Sequence, residues 1–195
     1  MKTNIFKLFK KKQIRKLKFN YPLHEDALNE KDLAEGLKVL ISRQLTMSKK
    51  TTEFEKYFQK KMGLKYCLMV NSGSSANLLA LFALINPMKK NHLKAGDECL
   101  VPAVCWSTSL WPVIQSGLKP KLIDVDINSF SINLETIKKN VTKKTKAIIL
   151  INVLGNCSEI DKIQEFANKN NIYLIEDNCE SLGSKFKKKY LGTYG

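Results

Sequence analysis

Two short segments far apart in the chain hold the side chains best suited to chemistry. The first is Val70-Asn71-Ser72-Gly73-Ser74-Ser75-Ala76-Asn77, which reads as a strand end, a glycine turn and a helix start. Freed amides at a helix start, serine hydroxyls and the helix dipole together bind phosphate, and glycine lets the backbone approach closely. The same pattern serves equally as a tight turn with an N-cap serine. The second segment is Ile175-Glu176-Asp177-Asn178-Cys179-Glu180-Ser181-Leu182-Gly183, an acidic cluster where an apolar run ends. A carboxylate at Asp177 can pair with a protonated ring nitrogen, and Glu180 can share the same rim and reach a substrate or a ring hydroxyl. Asn152, at the end of another apolar run, is a weaker candidate for that hydroxyl. Between the segments lies Trp106, whose indole can stack flat on an aromatic ring or sit in the core. Trp111, five residues on, reads as core.

A phosphate anchor at Gly73 and Ser74, an aromatic cover at Trp106 and a carboxylate at Asp177 are the equipment for pyridoxal 5'-phosphate (PLP). In such a site the carboxylate keeps the pyridinium protonated, so the ring can take up charge from a carbanion.

These side chains need elements to place them. Residues 26–41 read as a helix, with Leu33, Leu37, Leu40 and Ile41 on one side. Thr51 or Thr52 is positioned to cap a second helix with Phe54, Tyr57, Phe58 and Met62 as its apolar stripe. Short apolar runs at 66–70, 98–101, 121–125, 147–151 and 172–175 then alternate with helical segments at 75–85, 107–116, 134–140 and 158–170. That alternation predicts an α/β fold, a mostly parallel sheet flanked by helices. Parallel strands put ligand-binding loops at their carboxyl ends, where both lead segments fall. Residues 186–191 read as a hairpin. The abrupt Gly192-Thr193-Tyr194-Gly195 that follows leads us to expect a truncated chain.

Composition narrows the class further. The 195 residues are 44% hydrophobic and 26% charged, ordinary for a soluble domain. No apolar run approaches the roughly 18 residues of a membrane span. Five cysteines with no CxxC pair argue against a disulfide framework or a metal site and for a reducing, cytoplasmic setting. The net charge of +15 raises the alternative of a basic nucleic-acid-binding protein. Eight of those charges lie in residues 1–20, a basic arm without acids, which leaves +7 for the other 175 residues. The remainder is mostly lysine in solvated patches such as Lys143-Lys144 and Lys187-Lys188-Lys189. A nucleic-acid role explains neither the glycine–serine turn nor the Glu-Asp-Asn-Cys-Glu run.

In this order and spacing the motifs resemble the DegT/DnrJ/EryC1/StrS sugar aminotransferase family, PLP-dependent enzymes of fold type I. The resemblance runs from about Tyr21 to the last residue. It rests on Asn71-Ser72-Gly73-Ser74-Ser75-Ala76-Asn77, Lys94-Ala95-Gly96-Asp97-Glu98, Val101-Pro102-Ala103-Val104-Cys105-Trp106-Ser107-Thr108, Asp124-Val125-Asp126, Thr145-Lys146-Ala147-Ile148 and Glu176-Asp177-Asn178-Cys179-Glu180-Ser181-Leu182-Gly183. Glu-Asp-Asn-Cys-Glu-Ser, with Trp106-Ser107-Thr108 and Leu154-Gly155-Asn156, looks closest to the nucleotide-sugar 3-dehydratases of the colitose pathway.

The resemblance implies PLP or pyridoxamine 5'-phosphate (PMP) as cofactor. Gly73 and Ser74 match the phosphate positions, Trp106 the ring-stacking residue and Asp177 the partner of the ring nitrogen. Glu180 stands where the aminotransferases often carry glutamine or histidine. Arg43, Gln44, Leu45 and Thr46 match a segment that touches the nucleotide sugar. The implied substrate is a nucleotide-linked 4-keto-6-deoxy sugar for cell-surface polysaccharide, including lipopolysaccharide. Glutamate is the implied amino donor, and the implied assembly is a homodimer without nucleic acid. The family's catalytic lysine (aminotransferases) or histidine (3-dehydratases) follows a Gly-Thr-x-Gly stretch. Here that stretch is 192–195, so neither residue is present in this sequence. We therefore expect residues 21–195 to be an incomplete PLP-binding large domain, cut before the small C-terminal domain. An inactive truncated homologue is the further alternative.

Overall fold

The computed structural model describes residues 28–195, so the basic arm and the start of the first expected helix lie outside the described residues. The chain divides into two compact units, Met1–Phe54 and Glu55–Gly195. In the first, α1 (Glu30–Ser42) starts at a capping box. Asn29 Oδ1 accepts from the amides of Lys31 and Asp32, and the Asp32 carboxylate accepts from the Asn29 amide. These contacts supply partners for amides that a helix start otherwise leaves bare. Arg43 ends α1 in the left-handed region, with φ of 60°. The second helix, α2 (Lys49–Met62), begins two residues before Thr51, so neither threonine caps it. Ser48 precedes it instead, and its hydroxyl lies 3.5 Å from Thr51 Oγ1. The Lys50 ammonium reaches Glu35 of α1 at 3.0 Å. The expected stripe of α2 is not a core face, since none of its residues is buried.

The second unit holds the sheet. Strands β1 (Glu98–Pro102), β2 (Lys119–Ile123), β3 (Thr145–Ile151) and β4 (Tyr173–Asp177) are all parallel, in the order β2-β1-β3-β4. Helix α3 (Gly73–Ile85) precedes β1, and α4 (Ser107–Gln115), α5 (Leu134–Asn140) and α6 (Ile160–Lys169) lie between successive strands. Both faces of the sheet are covered, which explains why β1 and β3 read as continuous apolar runs. Side chains alternate across a strand. Accordingly Leu100, Ile148 and Leu150 join Ile137, Ile160 and Ile163 in one core. Their neighbours Cys99, Val101, Ala147, Ile149 and Ile151 join Leu81 and Val113 in the other.

A short hairpin closes the unit: β5 (Lys185–Phe186) pairs antiparallel with β6 (Lys189–Tyr190). Its two turn residues, Lys187 and Lys188, have φ of 46° and 71°. That is the hairpin geometry whose twist matches the strands. Leu191 and Tyr194 beyond it are buried in the same core as α5 and α6.

Two expectations need correction. Residues 66–70 are not a strand but an irregular segment, with Tyr66, Leu68 and Met69 exposed. A strand needs a partner ladder, and among the described residues this segment has none. Trp111 is not core: it is 54% exposed. It sits on the outward side of α4, whose Ser109, Pro112 and Val113 face inward.

Candidate active site

The carboxyl ends of β1, β3 and β4 gather most of the residues singled out in the sequence. Asp177 is the last residue of β4, paired with Ile151 at the end of β3. Its carboxylate is held from three directions. Oδ2 accepts from Asn77 Nδ2 at 2.8 Å and from Ser109 Oγ at 3.2 Å, while Oδ1 accepts from the Cys179 amide at 3.1 Å. Asn77 lies one turn into α3, so this contact links the helix that starts at Gly73 to Asp177.

Ser72 caps α3, its hydroxyl accepting from the Ser75 amide at 3.1 Å. That hydroxyl satisfies only one of the amides free at a helix start, so others of this turn stay open to an acceptor. Gly73 and Ser74 are exposed, and a Cβ added at Gly73 would meet nothing within 4 Å. Trp106 follows β1 and is 76% exposed, so it is not a core tryptophan. Glu180 is exposed, and its carboxylate accepts from the Leu154 amide at 2.8 Å, bracing the short turn after β3. Arg43, Gln44, Leu45 and Thr46 are exposed and belong to the other unit.

Asn152 follows β3 and is fully buried. Its Nδ2 donates to Asn178 Oδ1 at 2.8 Å, and its Oδ1 has no partner. A buried acceptor left bare is costly unless a ligand or water supplies a donor. Glu176 is half-buried and turns to the end of the described chain. It accepts from the Gly192 and Gly195 amides, each at 2.7 Å, and from the Tyr194 amide. One carboxylate thus pins the segment after the hairpin against β4.

Cys179 is exposed, yet partial desolvation of its sulfur, with the Asp177 carboxylate second, pushes its thiol up to about 11. Full burial pushes the Cys99 thiol up to about 12. Both folded values lie above the ordinary thiol value, so the neutral thiols favour the folded state fully below about pH 9. That contribution is lost as pH rises through about 11 and 12. Alkylation with mass mapping is therefore expected to label Cys179 slowly at neutral pH, with a rate still climbing near pH 11. Cys99 should stay unlabelled until the protein unfolds. Rapid labelling of Cys179 at pH 7 would contradict the environment described.

Sequence reasoning missed Asn77, Ser109 and Glu176 as working residues. A signal existed for Asn77, four residues past Gly73 and so on the same helical face. None existed for Ser109 or for the direction of Glu176. Among the described residues no group of three His, Cys, Asp or Glu side chains is placed to hold a metal ion.

The groups present fit PLP or PMP in chemical type: an open helix start for a phosphate, an anchored carboxylate for a ring nitrogen, an exposed indole and an unpartnered buried acceptor. The model of the DegT/DnrJ/EryC1/StrS aminotransferase family matches residues 26–195. The chain belongs to this family. Among the relatives of this family member is a GDP-4-keto-6-deoxy-D-mannose 3-dehydratase of Escherichia coli O55:H7, 44% identical, the match covering 90% of this chain and 45% of that protein. A dTDP-4-dehydro-2,6-dideoxy-D-glucose 3-dehydratase of Saccharopolyspora spinosa is 36% identical, covering 86% of this chain and 37% of that protein. Among solved structures, the E. coli GDP-4-keto-6-deoxy-D-mannose 3-dehydratase with bound hydrated PLP superposes with a TM-score of 0.84 at 44% identity, covering 90% of this chain and 45% of that one. The chain thus spans about half the length of the curated relatives it matches. The similarity to that structure agrees with the expected large-domain fold, a parallel sheet with helices on both faces.

Proposed function

We propose that this chain forms the cofactor-binding part of a PLP- or PMP-dependent enzyme that removes the 3-hydroxyl from a nucleotide-linked 4-keto-6-deoxy sugar. The observation that carries the reading is the Asp177 carboxylate, fixed at the end of β4 by donors from α3 and α4. An acid meant only for solvent has no need of such anchoring. The 3-dehydratase relatives favour dehydration over amino transfer. In this reading Asp177 holds a proton on the ring nitrogen, the α3 start at Gly73 and Ser74 binds the phosphate, and Trp106 covers the ring. Asn152 Oδ1 accepts from the ring hydroxyl, and Glu180 borders the sugar. Arg43, Gln44, Leu45 and Thr46 contact the nucleotide sugar. Bound PLP or PMP supplies an electron-poor ring that takes up charge from a substrate carbanion.

We further propose that glutamate is the amino donor, that residues 21–195 act as one large-domain portion after a basic arm, that the enzyme works in the cytoplasm as a homodimer, and that its product enters cell-surface polysaccharide. The five cysteines are free, which suits a reducing compartment. Among the described residues no helix is long and apolar enough to cross a membrane.

Incubating the full-length protein with PLP, glutamate and GDP-4-keto-6-deoxymannose tests the reaction. Mass spectrometry should find a sugar lacking one oxygen. A sugar with an amino group in place of the keto oxygen would replace dehydration with amino transfer. No change with either GDP- or dTDP-linked substrate would sink the reading. Light scattering of the same preparation should give a dimer, and a monomer would remove the assembly proposal.

A further inference from the structure

Asn77 and Ser109 stand on different helices and meet at one oxygen atom. Asn77 Nδ2 donates to Asp177 Oδ2 at 2.8 Å and also lies 3.4 Å from the Thr108 carbonyl. Both neighbours are acceptors, so the amide can only present its nitrogen to them. The Thr108 carbonyl is available for a specific reason. Its ordinary helical partner would be the amide of residue 112, and residue 112 is a buried proline. Pro112 thus frees a carbonyl inside α4, and Asn77 uses it. Ser109, 1% exposed, adds its hydroxyl to the same Asp177 oxygen at 3.2 Å. The Cys179 amide holds the other oxygen.

We propose that Asn77 and Ser109 are positioning residues that fix the plane of the Asp177 carboxylate, with Pro112 keeping the Thr108 carbonyl open to orient Asn77. This rests on the reading of Asp177 as the partner of a ring nitrogen. Neither residue touches the cofactor in this assignment. Both act through Asp177. Because Asn77 sits one turn past Gly73, the clamp also sets the spacing between phosphate turn and carboxylate.

The test is a double-mutant cycle on the full-length protein, read by PLP affinity and by the pH dependence of the bound cofactor's absorbance. Asn77→Ala should weaken PLP binding by about tenfold or more, the scale of a hydrogen bond to a charged group. It should also move the pyridinium transition to lower pH, because a loosened carboxylate holds that proton less firmly. Ser109→Ala should do the same more weakly. In an Asp177→Asn background both effects should vanish, because they act through the carboxylate. Equal losses with and without Asp177 would overturn the clamp and make Asn77 merely structural. Unchanged affinity and an unchanged pH profile in both single variants would overturn it too. If Asp177→Asn itself leaves affinity and pH profile untouched, the ring-nitrogen reading fails, and that result is distinct from failure of the clamp. Circular dichroism checks folding. Should Asn77→Ala not fold, the cycle with Ser109→Ala decides.

Discussion

Asp177→Asn in the full-length protein is expected to lower turnover by about 10²–10³-fold, the usual loss when one preorganised electrostatic group is removed. The fold should survive. An amide oxygen at this position still accepts from Asn77 and Ser109, the two donors that now meet Asp177 Oδ2. What disappears is the negative charge. A carboxylate beside a cation favours its charged form by roughly 1–3 pKa units, and an amide does not. The pyridinium then loses its proton at lower pH, and the ring becomes a poorer acceptor of carbanion charge. Steady-state kinetics, with thermal unfolding as the control, measures both halves of the expectation. Near-normal turnover in a folded variant would take Asp177 out of the role given to it.

The second large effect concerns stability. Glu176→Ala is expected to destabilise the protein by about 2–4 kcal/mol, because a water-shielded amide left without a partner costs roughly 1–3 kcal/mol. Two half-buried amides are at stake, those of Gly192 and Tyr194, while the exposed Gly195 amide can turn to water. Gly192 has φ of 85°, and a Cβ added there would come within 2.0 Å of Asn178 Nδ2, so the segment packs closely where Glu176 holds it. A loss of this size is a large share of the usual stability of a domain. Glu176→Gln, which keeps one acceptor oxygen, should fall between. Chemical denaturation gives the total, and hydrogen exchange localises it. The amides of 192, 194 and 195 should exchange much faster in the alanine variant while β1 and β3 stay protected. Unchanged exchange there would show that burial of Leu191 and Tyr194, not Glu176, holds the segment.

Several elements could be read from neighbouring residues alone. Helix α5 falls on residues 134–140 as the spacing predicts, with Asn133 accepting from the Thr136 amide at its start. The parallel sheet follows from strand–helix alternation, and β1 and β3 carry the unbroken apolar runs of strands covered on both faces. The glycine–serine turn is likewise local, since a cap needs only residues three apart.

Tertiary structure decided the rest, for one physical reason: the partners are distant in sequence. Residues 66–70 have strand composition, yet composition cannot supply a neighbouring ladder, and the segment is irregular. Trp106 and Trp111 look alike in a sequence, and each could be core or surface until α4 is docked. Both are exposed. Glu176 and Asp177 are adjacent acids with opposite duties, because successive residues of a strand face opposite sides of the sheet. Glu176 gathers the amides after the hairpin, and Asp177 gathers donors from α3 and α4. By itself the sequence determined the α/β fold and the kinds of group available. Only packing determined which carboxylate is anchored at the site, because the contact between Asn77 and Asp177 exists only once α3 lies across the sheet.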